Sequence, residues 1–420
     1  MLDIKIIREQ PEIVKESCKN RQVECDVDRI LELDKQKRQL LQEVEQLRSE
    51  QNKLGKENRE QGQALKQQLK AKEPALEQIG KDLEKLLFQL PNIPLLEVPV
   101  GKGESDNKVL RTWGKIPSFG FEPKDHQELG EVLDIIDIKR AAKVSGARFT
   151  YLKSHAVTLE FALVKMVMDL AQKRGFIPII PPVLVKEDAM KGMGYIDTPE
   201  DRAERYFLDE SGLFLVGTAE QAIGPMHGGE VFEEKDLPRR YVAFSSCFRE
   251  EAGSYGKDTK GIMRLHQFDK VELFSFTKPE DSKKEHELLL SIEEKLWQEL
   301  QIPYQVVQLC TGDIARPSAA TYDIEAWMPG QNRYREVSSA SSTTDFQARR
   351  LNIRYKTNSP TGGGKLEFVH MLNATGCAII RTLIAILENY QQKDGSVKIP
   401  KALQKYAGMS VIPHRSTGSR

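Results

Sequence analysis

The sequence predicts an α+β protein in which an N-terminal antiparallel coiled-coil hairpin of helices precedes a domain built on an antiparallel β-sheet flanked by helices. Two leucine-rich runs near the N-terminus repeat at helical spacing. A segment rich in proline and glycine then separates them from the rest of the chain. Beyond it, predicted strands and helices do not alternate regularly, which favours α+β over a doubly wound parallel sheet.

The hairpin is predicted from apolar residues that recur at alternating steps of three and four, the spacing of a helical seam. The two seams are Ile30, Leu33, Leu40, Val44, Leu47 and Leu54, and then Leu65, Leu69, Leu76, Ile79, Leu83, Leu86 and Leu90. Gly55 and Gly62 lie between the seams and permit a turn. Helices of roughly 30 residues would reach about 45 Å, so we expect the hairpin to project as an arm.

The tip of the arm, residues 48–72, carries seven basic residues and three acidic residues. A solvated helix surface is one explanation of this excess, and a surface that contacts a nucleic-acid backbone is another. The proline- and glycine-rich linker follows at about residues 91–108. We therefore divide the chain into an arm, residues 1–100, and a second domain, residues 101–420.

The second domain mixes predicted helices with short β-rich stretches such as RYVAFSSCFRE, KVELFSFT, YQVVQLC and TYDIEAWMP. Helices are expected near residues 126–144, 155–174, 282–300 and 373–391. The sequence contains neither GxGxxG nor GxxxxGK[ST], so the familiar phosphate-binding loops are absent.

Composition and charge exclude several classes of protein. The 420 residues contain 62 basic and 62 acidic side chains, so a nucleic-acid partner would need a local basic surface. The five cysteines include no CxxC pair, which predicts a reduced protein without disulfides or a cysteine zinc site. The N-terminus has no apolar signal region, and no apolar run reaches the roughly 20 residues of a membrane helix. We expect a soluble cytoplasmic protein.

Three polar segments of the second domain are candidates for chemistry. Arg249 and Glu251 are two apart, so on a strand they would share a face, where they could bind an anion and an amine or simply pair with each other. Glu336 beside two serines could bind Mg²⁺ or could end a polar strand. Arg381 interrupts an apolar helix, where it could reach a phosphate or pair with a carboxylate.

Together and in this order, the segments resemble the three signature motifs of class II aminoacyl-tRNA synthetases. GFIPIIPPVLV with Pro182 is similar to the first motif, a dimer-interface element; FREE at 248–251 is similar to the second; Arg381 is similar to the arginine of the third. Further segments resemble the bacterial-type seryl-tRNA synthetase family, namely TAE at 218–220, FREEAGSYGKDTKGIMRLHQFDKVE, TYDIEAW, REVSS and TDFQARR. The segment GMGYIDTPEDRAERYF, residues 192–207, departs from the family pattern.

The resemblance implies a serine–tRNA ligase that forms AMP and pyrophosphate, with ATP as substrate and Mg²⁺ as cofactor. It implies catalytic roles for Arg249 at the α-phosphate and the serine carboxylate, for Arg381 at the γ-phosphate and for Glu336 as a Mg²⁺ ligand with Ser339. Glu251 would read the adenine amine. The implied ATP-binding residues are Arg249, Glu250, Glu251, Phe268, which would stack on adenine, Glu336, Val337, Ser338, Ser339 and Arg381. The implied serine-binding residues are Thr218, Ala219, Glu220, Arg249, Glu272, Asn373 and Thr375.

The resemblance also implies partners. Lys53, Lys56 and Arg59 at the arm tip would contact the long variable arm of tRNA(Ser), and two copies of the chain would form a homodimer. Whether tRNA(Sec) is also charged stays open. Two alternatives remain, a ligase that loads an amino acid onto a carrier protein and a non-catalytic coiled-coil interaction protein. The first would lack the arm, and the second would be favoured by loss of the catalytic residues.

Overall fold

The computed structural model describes residues 1–54, 58–252, 261–358 and 363–414. It divides into two compact units, Met1–Ile93 and Pro94–Arg420. The division falls at the start of the proline-rich segment. Gly55 and Lys56, two residues that the sequence singled out, lie outside the described residues.

The first unit contains four helices within the described residues, and the two long ones form the predicted hairpin. They are α1 (Ile4–Glu9), α2 (Pro11–Asn20), α3 (Val27–Lys53) and α4 (Arg59–Gln89). Arg48 pairs with Glu73, and Lys37 lies against Gly80, so α3 and α4 run antiparallel. Most of the predicted seam is buried or half-buried, but at its C-terminal end Leu87 is buried where Leu86 was expected.

The second long helix of the hairpin begins before Gly62, one of the two glycines expected to permit the turn. Helix α4 begins at Arg59, so Gly62 is helical and does not belong to the turn. Glycine lowers the stability of a helix but does not forbid it, and Leu65 and Leu69 further along are buried in the seam. Packing between the helices therefore outweighs the local preference.

The second unit confirms the α+β prediction. Its helices are α5 (His126–Val132), α6 (Ile138–Ser145), α7 (His155–Gln172), α8 (Glu187–Met193), α9 (Pro199–Ala203), α10 (Glu220–Ile223), α11 (Ser282–Leu300), α12 (Phe346–Leu351), α13 (Ile379–Tyr390) and α14 (Lys401–Ala407). Its strands are β1 (Lys108–Trp113), β2 (Ile136–Asp137), β3 (Tyr151–Leu152), β4 (Ile177–Ile179), β5 (Leu184–Lys186), β6 (Phe207–Leu208), β7 (Leu213–Leu215), β8 (Val231–Glu233), β9 (Arg239–Phe248), β10 (Gln267–Thr277), β11 (Tyr304–Gln308), β12 (Ala320–Met328), β13 (Arg333–Ser342), β14 (Arg354–Lys356), β15 (Leu366–Phe368), β16 (His370–Ala378), β17 (Val397–Lys398) and β18 (Val411–Ile412).

The main sheet has eight strands in the order β1-β11-β12-β13-β16-β10-β9-β4. Every neighbouring pair is antiparallel except β4 and β9, which are parallel. The largest hydrophobic core joins this sheet to helices α7, α11, α13 and α14. On β10, Val271 and Leu273 point into that core, whereas Lys270 and Glu272 point to the other face. The sheet therefore offers one face to the helices and leaves polar residues on the other.

One expected helix is shorter than predicted. The region 373–391 begins as strand β16, and the helix α13 starts only at Ile379. Asn373 and Thr375 therefore lie on a strand, opposite Phe274 and Glu272 of β10. The small residues between them do not favour a helix strongly, and pairing with β10 and β13 satisfies their backbone groups.

The five cysteines are free thiols. Over the described ranges, no helix combines the length and the apolar character that a membrane span requires.

Candidate active site

The loop after β9 carries Arg249 and Glu251, and its geometry corrects the reasoning from spacing. Strand β9 ends at Phe248, and Glu251 has a φ of 54°, in the left-handed region. The alternation of a strand does not extend that far, so the shared-face argument was wrong. Instead, Glu251 Oε2 lies 3.0 Å from the guanidinium of Arg264. Arg249 stacks over Phe268, with its guanidinium carbon 5.2 Å from the ring centroid.

This loop and the ends of β10, β13 and β16 enclose one part of a cavity, about 600 Å³, which we call the Arg381 end. Its lining includes seven of the residues predicted to bind ATP. They are Arg249, Glu251, Phe268, Glu336, Val337, Ser338 and Arg381. Ile262, Met263 and Leu265 add apolar surface, so the end has an apolar wall and three guanidinium groups, those of Arg249, Arg264 and Arg381.

Arg381 and Glu336 are in direct contact in the Arg381 end. Arg381 Nη1 lies 3.1 Å from Glu336 Oε1 and donates to the Glu336 carbonyl at 3.0 Å. The positive charge of Arg381 holds the pKa of Glu336 below its ordinary value, so this carboxylate stays ionised. About half of the Glu336 side chain is open to solvent. It is therefore accessible to a cation as well as to Arg381.

The second part of the cavity, which we call the Glu272 end, extends from the first and has a volume of about 1090 Å³. Six residues line both ends, and they are Arg249, Glu251, Arg264, Lys270, Glu336 and Thr375. The remaining predicted residues found here are Thr218, Glu220, Glu272, Ser339, Asn373 and Thr375. A single cavity therefore brings together most residues of both predicted sets.

Glu272 is buried at the floor of this end. It accepts a hydrogen bond from the Thr218 hydroxyl at 3.2 Å and forms an ion pair with Lys270. Thr375 lies directly opposite on β16. Burial raises the pKa of Glu272 to about 7, and the charge of Lys270 opposes the rise. The arrangement offers a carboxylate oxygen to a hydroxyl group.

Glu220 lies at the start of α10 and is also buried. The Tyr195 hydroxyl donates to Glu220 Oε1, while Oε2 is buried without a hydrogen-bond partner among the described residues. Burial raises the pKa of Glu220, and the nearby charges of Lys270, Arg249 and Arg205 oppose that change. A ligand with an ammonium group would satisfy the unpaired oxygen.

Two predicted residues line neither end. Ala219 is fully buried in a second apolar cluster. Glu250 lies on the loop beside Arg249, where its backbone N–H donates to the Glu204 carbonyl at 3.3 Å. Their neighbours in sequence, Thr218, Glu220, Arg249 and Glu251, do line the cavity. Pro182 is exposed between β4 and β5.

Some basic side chains at the predicted tip of the arm are paired with carboxylates, so fewer of them are available to contact a nucleic acid than the composition suggested. Arg48 pairs with Glu73 at 2.7 Å and Lys72 pairs with Glu43 at 2.5 Å, both across the hairpin. Those carboxylates lie outside residues 48–72, so the count along the sequence overlooked them. Lys53 and Arg59 are exposed, each without an ion pair to a described residue. Lys56 lies outside the described residues.

Reasoning from sequence missed several residues of the cavity. Lys270 could have been found, because it is two positions before Glu272 on one strand and therefore shares its face. His126 does not line the cavity but supports its wall, because its Nδ1 lies 2.8 Å from Glu388 of α13 and its Nε2 accepts from the Ile262 N–H at 3.3 Å. It thus ties α13 to the cavity wall. Arg205 belongs to the divergent segment, where no resemblance was available.

A candidate site for Mg²⁺ is formed by oxygen atoms of Glu336 and Ser339. Asp323, opposite Ser339 on β12, is hydrogen-bonded to it and keeps Oδ1 buried without a partner among the described residues. Hard oxygen donors of this kind suit Mg²⁺. No group of three or more His, Cys, Asp or Glu side chains within the described ranges is placed to hold a metal ion. Further ligands would have to come from a substrate or water.

Comparison with known proteins decides between the interpretations of this cavity. Residues 1–94 match the family described as the seryl-tRNA synthetase N-terminal domain, and residues 206–390 match the tRNA synthetase class II core domain (G, H, P, S and T). A serine–tRNA ligase of Dictyoglomus turgidum is 45% identical over 426 aligned positions, which cover 98% of this chain and 99% of that relative. The chain belongs to the seryl-tRNA synthetase family.

Solved structures of the family agree over the full length. Seryl-tRNA synthetase from Pyrococcus horikoshii, complexed with ATP, is 42% identical with a TM-score of 0.91 and covers 99% of this chain and 100% of that one. The cytoplasmic serine–tRNA ligase of Naegleria fowleri, in complex with AMP, is 33% identical with a TM-score of 0.88, and 99% of each chain is covered. The resemblance to class II synthetases and to this family is confirmed.

Proposed function

We propose that this chain activates L-serine with ATP, forming seryl-adenylate and pyrophosphate, and then transfers the seryl group to the 3′ end of tRNA(Ser). Membership of the family supports this activity, as do the names of relatives that are serine–tRNA ligases. The observation that carries the proposal is the cavity, which combines three guanidinium groups at one end with a hydroxyl-binding carboxylate at the other.

In the first step, the serine carboxylate attacks the α-phosphorus of ATP and the bond to pyrophosphate breaks. Arg249 lines both ends of the cavity, which supports its assignment to the serine carboxylate and the α-phosphate. Arg381 would neutralise the terminal phosphates, and Phe268 would cover the adenine ring. No protein nucleophile is needed, because positioning and charge neutralisation supply the catalysis.

The oxygen atoms of Glu336 and Ser339, with Asp323 behind Ser339, fit a bound Mg²⁺. When bound, the ion would neutralise charge on the phosphate oxygens. Glu336 is suited to this role because Arg381 holds its pKa low and keeps it ionised.

At the Glu272 end, we assign the serine hydroxyl to Glu272 and the serine ammonium to Glu220. Thr218, Asn373 and Thr375 complete the pocket. Alanine would leave the buried carboxylate without a hydroxyl partner, which raises the free energy of the complex. The pocket should therefore reject alanine by about 10⁴-fold. Threonine keeps the hydroxyl, and its extra methyl group must be excluded by shape.

We assign the arm to tRNA(Ser), with Lys53, Lys56 and Arg59 contacting the backbone of its long variable arm. A homodimer is supported by exposed apolar side chains on and near the first motif, since Ile180 is 81% and Phe161 is 61% exposed. We place the enzyme in the cytoplasm, where its tRNA substrate is used.

The proposal is tested by ATP–pyrophosphate exchange with purified protein, Mg²⁺ and one amino acid at a time, without tRNA. We expect exchange with serine and little with alanine, glycine or threonine. The exchange rate of Arg381→Met, purified in parallel, should be lower by about 10²–10³-fold. This result would show that the exchange does not come from a contaminating host enzyme. Absence of serine-dependent exchange by folded protein would refute the assignment and favour a non-catalytic interaction protein.

The acceptor is tested separately. Purified tRNA(Ser) should accept serine from the enzyme, whereas a carrier protein should not. Acylation of a carrier protein without acylation of tRNA would favour the carrier-protein ligase, an alternative that the tRNA-type arm disfavours.

A further inference from the structure

The 192–207 segment, which departs from the family pattern, forms one wall of the Glu272 end. Tyr195, Glu204 and Arg205 line the cavity together with Thr218 and Glu220. None of the three belonged to the predicted serine-binding set. The divergent segment therefore contributes side chains to the pocket in which we place the amino acid.

The segment is held firmly by contacts on both sides. Asp197 forms a buried ion pair with Arg350 at 2.8 Å, and both side chains are 1% exposed or less. Thr198 and Asp201 form a reciprocal capping box at the start of α9. The Glu204 carbonyl accepts from the backbone N–H of Glu250, beside Arg249. These contacts fix where the segment's side chains point.

Arg205 occupies an unusual position for an arginine. Its guanidinium lies over the Tyr195 ring at 5.2 Å, and its Nη1 donates to the Glu204 carbonyl at 3.2 Å. Its Nε is buried and has no hydrogen-bond partner among the described residues. The charges of Glu204, Asp201 and Glu220 interact with Arg205, but none of these carboxylates forms an ion pair with it, so the guanidinium has no directly bound anion among the described residues.

A second guanidinium faces the same space. Burial lowers the pKa of Arg205, and the positive charge of Arg249 lowers it further. Tyr195, Glu204 and Asp201 act in the opposite direction. The Tyr195 hydroxyl donates to Glu220, and burial raises the pKa of Tyr195 well above its ordinary value, so the phenol stays neutral. Both charges act on the buried Glu220, whose pKa is raised by burial, and an added anion between the two guanidinium groups would reduce their repulsion.

We propose that Arg205 binds the carboxylate of serine, next to the α-phosphate contact of Arg249. This inference rests on the proposed function. Arg249 lines both ends of the cavity, whereas Arg205 lines only the Glu272 end, away from Phe268 and Arg381. Arg205 is thus placed for the amino acid and not for the outer phosphates. Tyr195 acts as its platform, since its ring supports the guanidinium while its hydroxyl orients Glu220.

The chemistry of the reaction provides a sharp test. Free serine carries a carboxylate, but in seryl-adenylate the same carbon is a neutral acyl group bonded to phosphate. Arg205 should therefore matter for binding of free serine and much less for binding of the adenylate. A non-hydrolysable seryl-adenylate analogue, with a sulfamoyl group in place of the phosphate, separates the two states.

We expect Arg205→Met to raise the serine KM in pyrophosphate exchange by about 30–100-fold, the loss of one charge-assisted hydrogen-bonded contact. The ATP KM and the Kd of the analogue should change less than about threefold. Arg205→Lys should recover part of the serine KM, because it restores the charge without the planar fork. A loss of folding would instead impair every substrate alike.

The matched control is Arg202→Met, in the same segment. Arg202 packs over Phe207 and Phe214 and lies 3.4 Å from Glu187, and it does not line the cavity. Its serine KM should match that of the unaltered enzyme. Equal effects of both substitutions would overturn the proposal in favour of a structural role for the segment.

Three other results would also overturn it. An unchanged serine KM in Arg205→Met would remove Arg205 from the site. A joint rise in the serine KM, the ATP KM and the analogue Kd would assign Arg205 to phosphate binding. A defect confined to tRNA acylation would assign Arg205 to the tRNA 3′ end. Absence of serine-dependent exchange in the unaltered enzyme would refute the proposed function itself, which the variants do not address.

Discussion

The arm and the cavity both carry paired charges, but their surroundings differ. In the arm, the side chains of the Arg48–Glu73 pair are 59% and 43% exposed, whereas those of Lys270 and Glu272 in the cavity are 8% and 2% exposed. Water and salt screen the first pair, which contributes roughly 0–1 kcal/mol. Burial of the second pair raises the pKa of Glu272 to about 7.

This difference indicates two ways of using charge. On the arm, a cation can act on a nucleic-acid backbone through its approximate position, and the effect depends on salt. In the cavity, Lys270 and Glu272 are held by their neighbours and have lost most of their contact with water, so their chemical identity and protonation state determine what binds. The predictions below test this contrast, starting with the largest expected effect.

The first prediction compares the same chemical change in the two regions. Glu272→Gln should lower kcat/KM for serine by about 100-fold and reduce discrimination against alanine, because the charged hydroxyl acceptor is lost. Steady-state exchange with serine and alanine measures both. Glu77→Gln on the arm, where the carboxylate pairs with Lys81 in water, should leave both values unchanged. Similar effects of the two substitutions would contradict the contrast.

The raised pKa of Glu272 also predicts how the serine KM depends on pH. Below pH 7 the carboxyl is protonated, and above pH 7 it becomes a stronger acceptor. The serine KM of the unaltered enzyme should therefore fall as pH rises through about 7, and Glu272→Gln should lack this step. The same step in the glutamine variant would assign it to another group.

The second prediction concerns the arm. Replacing Lys53, Lys56 and Arg59 with alanine should weaken tRNA(Ser) binding by about tenfold at about 0.1 M salt and reduce the salt slope by about two to three. Pyrophosphate exchange should be unchanged. The matched control replaces Lys35, Lys37 and Lys81, which lie further from the tip of the same hairpin. If the control loses as much affinity, the tip has no special role.

The third and smallest prediction concerns stability. Burial and a hydrogen bond with Asp269 raise the pKa of Glu160 from 4.5 to about 8. The folded state therefore retains a proton that the unfolded state releases near pH 4.5, so stability falls as pH rises from about 4.5 to 8. Glu160→Gln keeps a hydrogen-bond donor for Asp269 and should remove this decrease in stability as pH rises.

Thermal unfolding from pH 5 to 8.5 measures the effect. The stability of Glu160→Gln relative to the unaltered protein should increase with pH, by about 1–3 kcal/mol. Glu77 provides the opposite sign at lower pH, because Lys81 lowers its pKa from 4.5 and its contribution is lost as pH falls below the range of this measurement. A pH-independent difference for Glu160→Gln would show that its carboxyl is ionised in the folded state.

Much of the fold and site was predictable because it depends on local patterns. The helical seams of the arm follow from leucine spacing, and the strands around Arg249, Glu272 and Glu336 follow from β-rich stretches. The errors have local causes. Strand alternation was extended to Glu251, although the chain there leaves the strand in the left-handed region. The first residues of 373–391 were assigned to a helix because strand pairing with β10 and β13 is not visible in that segment.

The sequence by itself determined the family, the helical arm, the α+β class and the identity of most cavity residues, because these depend on residue types in a fixed order. Only the tertiary structure decided which charges meet. Arg48 is neutralised by Glu73 across the hairpin, Glu251 pairs with Arg264, and Arg205 joins Arg249 in one cavity. The physical reason is that desolvation and Coulomb interactions depend on distance in space, which residues far apart in the chain acquire only when it folds.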